Sequence, residues 1–96
     1  MAVVLVHQGA GLTQESYEQV VQRVTGKTRP NSPGDWPVEG LLIHAAGEGE
    51  NGFRVVDVWD SEESAQRFGE TLAPIVKEFG IEVKPEVYPA HTFVSA

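Results

Sequence analysis

Residues 41–59, LLIHAAGEGENGFRVVDVW, decide the fold. Two runs of strand-forming residues, 41–46 and 53–59, flank the turn-rich GEGENG of 47–52, which reads as a β-hairpin. Pairing Ala46 with Phe53 across that turn sorts the side chains by alternation. Leu41, Ile43 and Ala45 share a face with Arg54, Val56 and Val58. Leu42, His44 and Ala46 share the other with Phe53, Val55, Asp57 and Trp59.

Upstream, AVVLVHQ at 2–8 is β-branched and apolar and suits a buried strand ended by Gly9 and Gly11. Thr13 is an N-cap candidate. Tyr17, Val20, Val21 and Val24 follow a helical stripe that Gly26 closes. Residues 27–40, KTRPNSPGDWPVEG, hold three prolines and two glycines and predict a long loop that Trp36 anchors. Downstream, Asp60 and Ser61 cap a second helix whose stripe is Ala65, Phe68, Leu72, Ile75, Val76 and Phe79. Pro74 predicts a break or bend near Ala73, because proline cannot donate to residue 70. Residues 82–94 are extended, with Pro85 and Pro89 requiring an edge strand. The order βαββαβ predicts an α+β, ferredoxin-like domain over residues 1–96, a four-stranded antiparallel sheet with two helices on one face.

Composition narrows the partners. Fourteen acidic against seven basic residues give a net charge of −7, which argues against nucleic acid. There is no cysteine, so a disulfide scaffold and thiolate chemistry are excluded. The apolar opening Ala2–Val6 is too short for a signal or membrane segment, and a soluble, cytoplasmic protein with no membrane partner is expected. The purer apolar face of the hairpin is assigned to the helices. The mixed face, with Leu42, His44, Phe53, Val55, Asp57 and Trp59, is assigned to the open side of the sheet, where a second subunit would close a half-dry cavity. The expected assembly is a homodimer.

FRVVDVWDSEESAQRF at 53–68, with the hairpin GLLIHAAGEGENG before it, resembles the dimeric α/β-barrel superfamily, which includes the antibiotic-biosynthesis monooxygenases. The resemblance covers nearly the whole chain and implies a fold more than a function. It implies oxygen chemistry on a substrate anion without flavin or metal, in a cavity holding a Trp that Trp59 matches. Val55 stands where those enzymes carry Asn, and Gly69 stands where the haem-degrading branch carries a ligating His, so the resemblance implies no haem.

His44 and Asp57 are the sharpest pair, since a carboxylate beside an imidazole holds its tautomer and makes it a general base. They are the candidate catalytic residues, with Trp59. His7, Leu42, Phe53, Val55, Trp36 and His91 are candidate substrate contacts. No metal site is expected, because flat-sheet spacing puts His44 roughly 10 Å from His7. The function expected is a cofactor-independent enzyme acting on an aromatic or polyketide-like small molecule, by monooxygenase-like or proton-transfer and cyclisation chemistry. The alternative is a non-catalytic binding or structural homodimer.

Overall fold

The computed structural model describes residues 1–95. Strand β1 (Val3–His7) is followed by a two-residue strand β2 (Gly9–Ala10), helix α1 (Gln14–Thr25), a 3₁₀ turn (Pro33–Asp35), strands β3 (Leu41–Gly49) and β4 (Gly52–Trp59), helix α2 (Glu62–Glu78), and strands β5 (Glu82–Val83) and β6 (Glu86–Pro89). The main sheet has the order β3-β4-β1-β6, and every pairing in it is antiparallel. This is the expected ferredoxin-like α+β topology. The small β2–β5 pairing was not foreseen, since two residues carry too little pattern to read.

Both helices start where the side chains dictate. Thr13 and Ser16 form a reciprocal capping box, and Ser61 accepts from the Ser64 amide at the start of α2. Gly26 ends α1 in the left-handed conformation that favours glycine. Pro74 does not split α2, which runs unbroken past it. The proline removes one backbone bond from an exposed part of the helix, while Phe68 and Leu72 anchor the turns before it in the core. Gly69 lies mid-helix, where glycine costs about 1 kcal/mol relative to alanine. A β-carbon there would meet open space.

The hairpin turn is tighter than its sequence suggests. Gly47, Glu48 and Gly49 extend β3, and Glu50 and Asn51 alone make the connection. The register therefore moves by two residues. Ala46 pairs with Val55, and His44 sits directly opposite Asp57. A two-residue shift keeps each side chain on its face, so the sorting by alternation survives along most of the hairpin. It fails at the start of β3, where a bulge between Leu41 and Ile43 turns Leu41 inward, opposite Trp59, and leaves Leu42 41% exposed.

The assignment of the two faces is reversed. Val3, Leu5, Leu41 and Trp59 pack with Val20 of α1 and with Ala65, Phe68 and Leu72 of α2, so the face bearing Asp57 and Trp59 lies under the helices. That face holds the largest apolar side chains of the sheet, and covering it removes the most surface from water. Two polar groups on it, His44 and Asp57, are hydrogen-bonded to one another, which offsets the cost of burying them. The outward face carries Val4, Val6, Ile43, Val56, Val58 and Tyr88.

Gly40 locks the entry to β3 against α2. Its φ is +113°, its carbonyl accepts from the Asp60 amide at 2.8 Å, and a β-carbon would lie 2.6 Å from Asp60 Oδ1 and from Ser64 Oγ. Gly40→Ala combines backbone strain with a clash, and should lower stability by about 2 kcal/mol or more, read as the shift in the urea midpoint.

Candidate functional site

The site begins with a carboxylate that is almost wholly buried. Asp57 is 1% exposed, yet its Oδ1 lies 2.6 Å from Nδ1 of His44, across the hairpin. A carboxylate only accepts, so Nδ1 carries the proton and Nε2 is the free acceptor. Tyr17, on the first turn of α1, reaches down and its hydroxyl meets Nε2 at 2.5 Å. Phenol, imidazole and carboxylate thus form one hydrogen-bonded chain from helix to sheet, the arrangement of a hydroxyl–His–Asp triad with a phenol as the hydroxyl.

The surroundings hold each member in place. The Tyr17 and His44 rings lie nearly parallel, 11° apart, and Phe53 packs against Tyr17 at 5.1 Å between centroids. Trp36 covers His44 from the loop at 4.6 Å. That loop is pinned by Asp35, which accepts from Lys27 Nζ at 2.8 Å and from the amides of Asn31 and Ser32. These donors, Lys27 first, hold the Asp35 carboxyl below its usual range. Lys27 thus braces the loop that carries Trp36.

Burial pushes the Tyr17 phenol up to about 12, and the negative charges of Asp57 and Glu18 push the same way. Tyr17 is therefore a protonated phenol at neutral pH. Burial also lowers the pKa of His7, opposed by Asp57 and reinforced by His44. His7 is a neutral imidazole at pH 7.

A cavity of about 50 Å³ lies between sheet and helices, bounded by Tyr17, His44, Asp57, His7, Val55 and Trp36 and otherwise by apolar side chains of α1, α2 and the segment after it. It is lined by a single chain and lies on the helix side. This corrects the expectation of a cavity on the open face walled by a second subunit. Of the candidate residues, His7, His44, Asp57, Val55 and Trp36 converge here. Phe53 stands behind Tyr17. Leu42 is turned away by the bulge. His91 lies past the end of β6 and is exposed. Trp59 is fully buried in the core, 4.9 Å from Phe68, and its indole N–H has no partner among the described residues. It does not border the cavity. Tyr17 was missed, being read as one more stripe residue. The signal was a tyrosine on an otherwise valine stripe, above strands carrying His and Asp.

Among the described residues, no group of three His, Cys, Asp or Glu side chains is placed to hold a metal ion, and no helix is long and apolar enough to cross a membrane. The residues of the chain offer acid–base chemistry. A buried base oriented by a carboxylate can accept a proton relayed through the phenol, and the phenol can donate to a developing oxyanion.

No protein-family model matches the chain, and no curated protein matches it in sequence. Solved structures do match over nearly its full length. SnoaB, a cofactor-independent oxygenase from Streptomyces nogalater, superposes with a TM-score of 0.61 at 12% identity, covering 99% of this chain and 98% of its own. A protein from Deinococcus radiodurans described as an antibiotic biosynthesis monooxygenase gives 0.59 at 13% identity, with 100% and 98% covered. One from Shewanella loihica described as a monooxygenase gives 0.60 at 14% identity, with 96% of each covered. At such identities the likeness is one of fold. The chain has the ferredoxin-like fold of the antibiotic-biosynthesis-monooxygenase-like proteins.

Proposed function

We propose that the chain is a cofactor-independent enzyme that takes a proton from a phenolic or enolisable small molecule, aromatic or polyketide-like in kind, through the relay Tyr17–His44–Asp57. The observation that carries this reading is the closed chain of two short hydrogen bonds, 2.5 Å and 2.6 Å, ending on a buried carboxylate. Tyr17 Oη accepts the substrate proton as its own passes to His44 Nε2. The imidazolium so formed is stabilised by Asp57, and the low-dielectric surroundings make that stabilisation large. What remains on the substrate is an enolate or phenolate, able to be reprotonated, to cyclise or to react with dioxygen. SnoaB, of the same fold, is a cofactor-independent oxygenase, which supports the last course.

A second reading, a non-catalytic binding or structural domain, draws on the cavity itself. About 50 Å³ admits a few waters or the reactive end of a substrate, not a ring system. The same fold also carries a homodimer in our reading. The face away from the helices bears the half-buried Val4, Ile43 and Val56 and the exposed Tyr88, apolar side chains that a second copy would cover.

Deuterium exchange into the methylene of anthrone, followed by NMR in anaerobic D₂O, separates the two readings. The wild type should accelerate exchange. Tyr17→Phe, His44→Ala and Asp57→Asn should each lose ~100-fold. The His44→Ala/Asp57→Asn double variant should lose little more, because the residues act as a unit. A wild type no faster than Tyr17→Phe would leave the binding reading. Light scattering should give about twice the chain mass if the apolar face is a dimer contact; a monomer at micromolar concentration would remove it.

The phenol also sets an alkaline limit. Because folding raises the Tyr17 pKa to about 12, the folded state holds this proton more tightly than the unfolded chain does. The resulting stabilisation is complete below the ordinary tyrosine pKa of about 10 and is lost as pH rises towards 12. Thermal midpoints across that window should fall in the wild type and fall less steeply in Tyr17→Phe.

A further inference from the structure

The segment 28–39 is bonded to itself more than to the domain. Asp35 gathers the amides of Asn31 and Ser32, the Ser32 hydroxyl accepts from the Gly34 amide, and the Trp36 amide donates to the Pro33 carbonyl. Among the described residues, the one hydrogen bond that leaves the segment is the ion pair of Asp35 with Lys27. Both flanks are fixed. The Lys27 amide donates to Thr25 Oγ1 at the end of α1, and the Gly40 carbonyl accepts from the Asp60 amide. Between them the remaining hold is apolar, with Trp36 and Val38 packed against the core. The Lys27 side chain is half-exposed, and an ion pair so placed breaks readily.

Trp36 and His44 are walls common to two spaces. One is the inner cavity of about 50 Å³, which Val55 and Asp57 also border. The other is a cleft of about 330 Å³ outside it, along the start of β3, with Pro30, Pro33, Leu41 and Leu42 in its walls. The bulge that expels Leu42 therefore supplies one side of this cleft. The cleft is within the size range of small-molecule sites and the inner cavity is far below it. The Trp36 ring, 4.6 Å from that of His44, keeps the two spaces apart.

We propose that residues 28–39 are a lid over the relay, with Trp36 as its plug and the Lys27–Asp35 pair as its latch, and that its opening joins the cleft to the inner cavity at the start of β3. A segment braced within itself and lightly held to its surroundings moves as a unit, at a cost far below that of unfolding. Closed, the lid keeps water from the buried hydrogen-bonded chain; open, it admits a small molecule from the edge of the sheet. Lys27 and Asp35 are positioning residues, acting on the site through Trp36. The use of the opening rests on the proposed proton transfer, but the opening itself does not.

The chain has no cysteine, so a single introduced thiol reports alone. Val55→Cys places it in the inner cavity, and Val3→Cys places it in the core, bordering neither space. Labelling of each by iodoacetamide is followed by mass spectrometry in urea concentrations below the unfolding transition. Lid opening exposes little surface, so the Val55→Cys rate should be nearly flat in urea, whereas Val3→Cys should need global unfolding and rise steeply. Adding Trp36→Ala should speed Val55→Cys labelling about tenfold or more, because the plug and its packing are gone. Adding Lys27→Met, which breaks the latch and leaves Trp36 in place, should speed it about threefold. Lys27→Met carries the test if Trp36→Ala fails to fold. A Val55→Cys rate as steep in urea as that of Val3→Cys would overturn the proposal, and so would a flat rate that Lys27→Met leaves unchanged. Labelling of the expected kind with no anthrone exchange would sink the relay alone. Anthrone exchange by a chain whose Val55→Cys thiol is reached only through unfolding would sink the lid alone.

Discussion

The bond between Asp57 and His44 is the constraint on which the interior is arranged. A carboxylate with 1% of its surface exposed is tolerated only when hydrogen bonds offset the loss of water. Everything around the pair serves that condition. The hairpin register sets the two residues opposite one another, α1 brings Tyr17 to the outer nitrogen, and the Asp35-braced loop lays Trp36 over the ring. Removing the imidazole alone would strand the carboxylate, so stability and chemistry are joined at this point.

That coupling explains how the sequence was readable and where it misled. The element order, both N-caps, the Gly26 stop and the edge position of the proline-bearing last strand follow from local chemistry, and local chemistry is what a sequence displays. Which face of the sheet the helices cover is a tertiary choice. Counting polar groups pointed one way, because His44 and Asp57 look costly one at a time. Paired, and with a tyrosine from a helix 27 residues before His44, they are compatible with the core. Leu42 failed for a different reason, since a bulge leaves no mark in an alternating pattern. Trp59 was read through a resemblance of fold, and here its indole fills the core against Phe68.

The placement of the polar chain on the helix side also changes what a second copy of the protein would do. A cavity on the outward face would need two chains to exist. A cavity between sheet and helices is complete in one, and α1, α2 and the Trp36 loop form its walls. The outward face is rich in β-branched residues, while the inward one carries the cavity and the buried chain of hydrogen bonds.

The bulge at the start of β3 has a reach beyond the side chain it expels. Leu41 and His44 are three residues apart, an odd interval that in a regular strand would point them to opposite sides. The extra residue shifts the phase of the strand once, so both point inward: Leu41 against Trp59 as ballast for the core, His44 towards Asp57. A chain one residue shorter at this point could keep its hydrophobic anchor or its imidazole, but not both. The irregularity lets one strand serve packing at one end and the buried hydrogen-bonded pair at the other.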